Sequence, residues 1–490
     1  MNDPNKARRL PDETTVWTWL KRLNDFGPRL TGNAAHRESI DFIESELTAI
    51  GLKVVRDRLR FARWEARACE LALLAPDGSA TRVEPTSCFP YSGMTPPEGV
   101  EGELVYYRWP PWSFAAAAGK IAVVNITVPS LPRFLLRLAF RTRSRVPDTA
   151  DFATWFKSPL LAMAWLPDLA AAARAGVRGV VCVWRRCTRD NAALQYLPFD
   201  TPLQDCPAVW VDNSTGDRLA RLARQGGRAR LKLEATLDRD AETDTLYAIV
   251  PGKTAGEAII VNTHTDGPNA CEENGPVGLL ALARYILDPQ PQRTIVFAFV
   301  TGHFQLPQLG NKGQATTTWL QQHPEFWDGQ PGHLKAVAGV TLEHLGAMEW
   351  KDDLALGRYK PTGEIELELV YTPNQNLDRI YLERRRTGAL KRTMTLRPIN
   401  DIYFGEGEPL YRFGIPTISL IPFPDYLCAA APTGYIEKLD RNLMYEQIRT
   451  FAEVLDDLDQ APAARIGEPE PEPWTLLRLL VLLVRRVRPV

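Results

Sequence analysis

The chain has 490 residues and a mass of 55.0 kDa, more than one ordinary core accommodates, so two or three folding units are expected. Apolar residues make up 45% and charged residues 24%, which excludes wholesale disorder, a coiled coil or a collagen-like chain. Fifty-eight basic against 59 acidic side chains leave a net charge of -1, so no global field favours nucleic acid as a partner. The seven cysteines are scattered without a CxxC pair, which argues against a structural zinc knot or a disulfide framework. The opening MNDPNKARRLPDETT has no apolar core, and the chain reads as cytoplasmic. No apolar run is long enough for a membrane span. Only six histidines are present, so any convergence among them is informative.

Val16, Trp17, Leu20 and Leu23 recur at helical spacing before Gly27-Pro28 stops the run. Asn33 is placed to cap a second helix, in which Ile40, Ile43, Leu47 and Ile50 form one apolar stripe ending at Gly51. The strand-like LKVVRDRLRF follows. From about 63 to 242 short strands and turns alternate: ACELALLA, GELVYY, KIAVVNI, GVVCVW, PAVWV and ARLKLEA, with one helix from Leu166 to Arg174. This stretch reads as a small α/β unit of its own. Within it, the basic apolar segment 130–145 reads either as a surface helix or as a lid or membrane contact.

From about 243 the units lengthen. LYAIVPG, AIIVNTH, TIVFAFV and AVAGVTLEHLG are near-continuous apolar strands, as in a sheet covered on both faces. Helices are expected at about Val277–Leu287 and Gln314–Gln322, and LMYEQIRTFAEVLDDL is a last amphipathic helix. Residues 461–473 read as an extended Pro/Glu linker. The basic apolar segment 474–490 reads as a helix docked on the protein or a partner subunit, or as one lying on a membrane surface.

Chemistry-bearing residues gather at strand ends, where α/β sheets place their ligands. AIIVNTHTDG delivers His264 and Asp266, TIVFAFVTGHF delivers His303, and AGVTLEHLG delivers Glu343 and His344. The turn ACEENG adds Glu272 and Glu273. Imidazole and carboxylate ligands with one open position suit a divalent ion such as zinc. Asp266, two residues after His264, is expected to accept the imidazole's second proton and set its tautomer.

These segments resemble the zinc aminopeptidase and glutamate carboxypeptidase family of metalloexopeptidases that carry an inserted protease-associated domain. FGPRLTGNAAHRESIDFIESELTAIGLKVVRDRLRF is similar to the family's entry segment. GKIAVVNI, LPDLAAAARAGVRGVVCVW and CPAVWVDNSTGDRL are similar to the inserted domain. IIVNTHTDG, ENG, TLEHLG, EPLYRFGIPTISL and YIEKLD resemble successive parts of the catalytic domain. The resemblance covers nearly everything up to 460. It implies a mixed, mostly parallel sheet sandwiched by helices in three layers. Residues 1–62 and 243–460 would form the split catalytic-type domain, 63–242 the insert, and 461–490 the linker and basic helix.

By that resemblance His264, Glu273 and Glu343 fall on ligands of one metal, with Asp266 as the orienting carboxylate. The family's Glu-Glu pair, general base and second-metal ligand, reads His303-Phe304 here. Ala430 stands where the second metal's histidine belongs. One divalent ion, zinc, is therefore expected and a second is not. His303 serves as base or fourth ligand, and an imidazole titrating near ~6.5 suits proton transfer at neutral pH. His344, Glu272 and Glu406 are candidates for substrate binding, with Glu408 in the same region. The expected function is hydrolysis of an amide, peptide or related carbonyl substrate by metal-activated water. The alternative is an inactive binding or scaffold protein. A homo-oligomer is expected, with 474–490 available for self-association or peripheral membrane contact.

Overall fold

The computed structural model describes residues 8–132, 142–146, 155–310, 313–385, 392–399 and 403–472. The expected segment 474–490 and most of 130–145 lie outside the described residues. All seven cysteines are free. Among the described residues no helix is long and apolar enough to cross a membrane.

The apolar segments read from the sequence build the centre of one mixed sheet. Glu257–His264 lies between Thr294–Val300 and Lys335–Leu342, parallel to both. Thr417–Leu420 extends the parallel run beside Lys335–Leu342. Beyond it come Glu368–Tyr371, antiparallel to Thr417–Leu420, and then Thr393–Leu396 and Ser144–Val146. The central strands are buried along almost their whole length, because helices cover both faces and water reaches neither. One face carries Glu13–Asp25, Ala34–Ala49, Gly275–Ile286 and Arg441–Gln460, which pack against one another. Ala315–Gln322 and Gly407–Arg412 pack together on the sheet and join a separate apolar cluster around Ile260, Val296 and Trp319. The result is the mixed, mostly parallel three-layer sheet expected.

Local signals account for the helix ends. Asp12 accepts from Thr15 N at 2.8 Å and Asn33 from His36 N at 2.8 Å, each satisfying a backbone donor at a helix start. The Gly275–Ile286 helix begins at a glycine for steric reasons. A Cβ there would sit 1.9 Å from Thr263 Oγ1 and 2.4 Å from Leu342 O, so only glycine lets the helix start pack onto two strands.

The second half of the sheet comes from the earlier sequence. Ala208–Val211, Gly179–Arg185, Ile121–Thr127 and Val100–Tyr107 form a parallel run. The long strand Arg228–Val250 joins it to the main sheet, and Val54–Leu74 runs antiparallel along it. The expected separate strand ACELALLA is thus the far end of a 21-residue strand, kept in register by irregularities at Phe61/Arg63 and Ala66/Ala68. Residues 461–472, expected as an extended linker, are held on the body. Ala463–Ile466 forms a helical turn, and Glu470 pairs with Arg143 at 2.8 Å and Arg397 at 3.2 Å.

Candidate metal centre

Adjacent strands bring the three histidines together. His264 ends its strand, the turn after Thr294–Val300 carries His303, and the turn after Lys335–Leu342 carries Glu343 and His344. The His264 and His303 rings stack at 4.1 Å and 13°, and His344 stands edge-on to His264 at 6.4 Å. All three are buried, as are Glu272, Glu273, Glu343 and Glu406.

Each imidazole is fixed through Nδ1. His264 Nδ1 lies 2.8 Å from Asp266 O and His344 Nδ1 lies 2.6 Å from Pro422 O. A carbonyl only accepts, so both Nδ1 atoms carry hydrogen and leave Nε2 to face the cluster. His303 Nδ1 lies 2.7 Å from Glu406 Oε1. Around the inward Nε2 atoms, Glu272 Oε2 lies 3.0 Å from His344 and Glu272 Oε1 lies 3.7 Å from His303. Glu343 Oε2 lies 4.0 Å from His344 Nε2. His264 Nε2, His344 Nε2, Glu272 Oε2 and Glu343 Oε2 are buried without a hydrogen-bond partner. Two overlapping sets have ligand atoms within 4.8 Å of one another: His264, Glu272 and His303, and His264, Glu343 and His344. Convergent nitrogen and carboxylate donors, four of them unsatisfied, fit a divalent ion of the zinc class.

The charges follow from these contacts. Burial and the neighbouring His303 charge lower His264 to about 4, so it is neutral and available as a ligand. Burial also disfavours the His303 cation, yet the hydrogen bond and charge of Glu406, with Glu272 and Glu343 behind, hold it up at about 9. Burial pulls His344 down as well, and Glu272 reverses the effect and raises it. Glu343 is pushed up to about 7 by burial, which the His344 and His303 charges only partly offset.

The predicted residues do not all take the places expected of them. Glu273 faces away from the histidines: its Oε1 lies 2.6 Å from Arg29 Nη2 in a fully buried ion pair. The carboxylate that reaches the histidines is Glu272, one residue earlier. The turn is pinned by Asn269, whose Oδ1 accepts from Cys271 N and Glu272 N, and by a two-way backbone pairing of Arg29 with Gly267. Asp266 does not touch the His264 ring, whose partner is the Asp266 backbone carbonyl. Its carboxylate accepts from Gly302 N, His303 N and Phe304 N at 3.1, 3.3 and 3.0 Å, and from Thr31 Oγ1 at 2.5 Å. It therefore anchors the turn that carries His303. Gly302 takes φ 103 in that turn, a conformation open to glycine.

Glu406 is not directed to substrate. It accepts from His303, from Ala315 N at 3.1 Å and from Thr316 N at 2.7 Å at a helix start. Glu408 is paired with Arg412. The sequence reading missed Arg29, although an arginine inside the glycine-bounded GPRLTG segment was a visible signal.

No protein-family model matches the chain, and no curated protein matches it in sequence. The fold matches solved structures over nearly its whole length. A zinc aminopeptidase from Bacillus subtilis is similar with a TM-score of 0.63 at 15% identity, covering 94% of this chain and 98% of that one. A peptidase M28 precursor from Shewanella amazonensis gives 0.65 at 16% identity, covering 94% and 95%. An aminopeptidase from Aneurinibacillus sp. strain AM-1 gives 0.58 at 16% identity, covering 94% and 96%. At these identities the likeness establishes the fold.

Proposed function

We propose that the protein is a metal-dependent hydrolase of small amide or peptide substrates, working with one zinc-class ion. The observation that carries this reading is the convergence of three imidazole Nε2 atoms and two carboxylates with every Nδ1 already occupied. His264, Glu343 and His344 would hold the ion, with Glu272, beside His344, completing the set. The likeness to zinc aminopeptidases supports a hydrolase-type site. A bound divalent ion supplies Lewis-acid polarisation of a carbonyl and makes water a stronger acid.

The chain's own residues do the rest. Glu406 fixes the His303 ring and keeps a proton on it, so Nε2 can deliver that proton to a leaving amine. Asp266 holds the backbone on which that ring sits. Arg29 neutralises Glu273 and removes it from ligand duty. Buried Phe304, Ala429 and Ala431, with half-buried Ala430 between the last two, fill the region where the family resemblance places ligands of a second metal, which supports a single ion. We propose also that 63–242 is an inserted unit: its two ends meet where Phe61 pairs with Ala241 and Arg60 with Glu242.

The burial of every candidate ligand favours a second reading, a binding protein without turnover. Metal analysis of the purified chain, with hydrolysis of aminoacyl amides measured with and without chelator, separates the two. About one equivalent of metal and chelator-sensitive hydrolysis support the enzyme. Metal without hydrolysis supports the binding protein. Under about a tenth of an equivalent overturns the metal centre itself.

A further inference from the structure

Lys438 lies outside the candidate centre and is a buried charge that the proposed chemistry does not use. It is 4% exposed, and among the described residues its Nζ has neither an ion pair nor a hydrogen bond. Aromatic rings take their place: Nζ lies 3.3 Å from the Tyr435 ring centre, 4.7 Å from Trp350, 4.8 Å from Tyr359 and 5.0 Å from Tyr426. Burial pulls the amine down to about 8, so it is still an ammonium at neutral pH. A ring face attracts a cation, and most strongly where water is excluded.

The four rings come from three segments, and each segment adjoins the turn that carries His344. Trp350 and Tyr359 stand on the hairpin Met348–Asp353 and Arg358–Ile365, which leaves that turn directly. Tyr426 closes the segment that begins at Pro422, whose carbonyl holds His344 Nδ1 at 2.6 Å. Tyr435 and Lys438 lead into the third contact: Leu439 pairs with Ala347, and Asp440 N donates to Gly346 O at 2.7 Å. The Tyr426 hydroxyl lies 3.1 Å from Met348 O and 3.0 Å from Lys438 O, so it touches both other segments. His344 itself holds φ 57 and Tyr435 φ 54, left-handed conformations that side chains of their size do not favour. The surroundings must impose them. Glu343 is fixed from another side, through Glu406 N and Leu420 O.

We propose that Lys438 is a positioning residue for the candidate centre: its ammonium attracts rings from all three segments and so holds the strained turn that aims His344 Nε2 at the ion. An apolar side chain of similar length would fill the box without drawing the rings to one point. The inference rests on the metal centre proposed above, and it assigns Lys438 no contact with ion or substrate.

The test is the zinc affinity of the full-length chain near neutral pH, by competition with a chromophoric chelator, with zinc alone as the probe. Lys438→Met is expected to weaken zinc binding about tenfold, the scale of a lost ligand-supporting contact. Lys438→Arg should stay within about threefold of the parent, since a guanidinium also stacks on rings. Tyr435→Leu should weaken zinc binding and Tyr435→Phe should not, and this pair decides the matter where Lys438→Met does not fold. A merely structural role would cost the same in any background, so the deciding readout is a cycle with His344→Ala. In that background Lys438→Met should change zinc affinity by less than about twofold. Equal affinity of the parent and Lys438→Met overturns the proposal, as does an undiminished loss in the absence of His344. If the parent holds no zinc, the hydrolase reading fails, and the same cycle is read from urea midpoints of the zinc-free chain. Non-additive midpoints then keep the positioning role, and additive ones overturn it.

Discussion

Replacing Glu406 by glutamine tests the charge state on which the reading of His303 depends. The His303 imidazole titrates at about 9 against 6.5 for the free group, a rise that corresponds to about 3 kcal/mol. Glutamine keeps an oxygen for one donor but removes the charge. It also turns an amide N–H toward Ala315 N or Thr316 N, which adds a pH-independent cost of about 1–3 kcal/mol. The sign follows from linkage: a folded-state value raised above the unfolded one stabilises fully below about 6.5, and that contribution is lost as pH rises through about 9. Urea unfolding of chelator-treated parent and Glu406→Gln chains should therefore differ by about 4–6 kcal/mol near pH 6. By about pH 10 only the pH-independent part should remain. Glu343, raised to about 7 in the parent chiefly by burial, feels the Glu406 and His303 charges in opposite senses, so the loss of both changes its own contribution in opposing directions. A difference that stays constant over this range would refute the claim that Glu406 holds His303 charged.

Arg29→Met should cost about 3–5 kcal/mol in urea unfolding, because it strands the Glu273 carboxylate in the interior. Arg29→Met/Glu273→Met should recover most of that loss, and a double variant no better than the single one would refute the pairing. In metal analysis, His264→Ala and Glu272→Gln should lose the ion while Glu273→Gln keeps about one equivalent. Loss on Glu273→Gln with retention on Glu272→Gln would show that the two carboxylates have the opposite assignment. Gly302→Ala should cost about 2–3 kcal/mol, since φ there is 103 and a Cβ would stand 2.5 Å from Leu309 Cβ. A change under about 0.5 kcal/mol would show that this turn is not held as described.

The central strands were legible because they are buried on both faces, which leaves unbroken apolar runs such as AIIVNTH and TIVFAFV. The Asn33 cap was legible because its signal is local. The 21-residue strand Val54–Leu74 was not. Its charged stretch RWEARA is strand only because Arg228–Val250 lies alongside, a pairing between residues far apart in sequence. Strand ends told which histidines meet, since parallel order alone brings 264, 303 and 344 together. They could not tell that Glu406 pairs with His303 across 103 positions, because the Ala315 and Thr316 amides that receive it belong to a third segment.

The neighbouring Glu272 and Glu273 show where sequence spacing stops being informative and why the number of metal ions turns on it. Two successive side chains in a turn point in different directions, and which one faces the histidines depends on what meets the other. Here the meeting partner is Arg29, delivered by a backbone pairing with Gly267. Once the guanidinium pairs with Glu273, the pair as a whole is neutral, and a second divalent ion would have to sit beside an arginine. The remaining anionic oxygens, those of Glu272 and Glu343, face the same group of Nε2 atoms. One cation satisfies that arrangement. Two would repel each other with no bridging carboxylate between them, so a metal count near two in the parent chain would mean that the Arg29–Glu273 pair opens on binding.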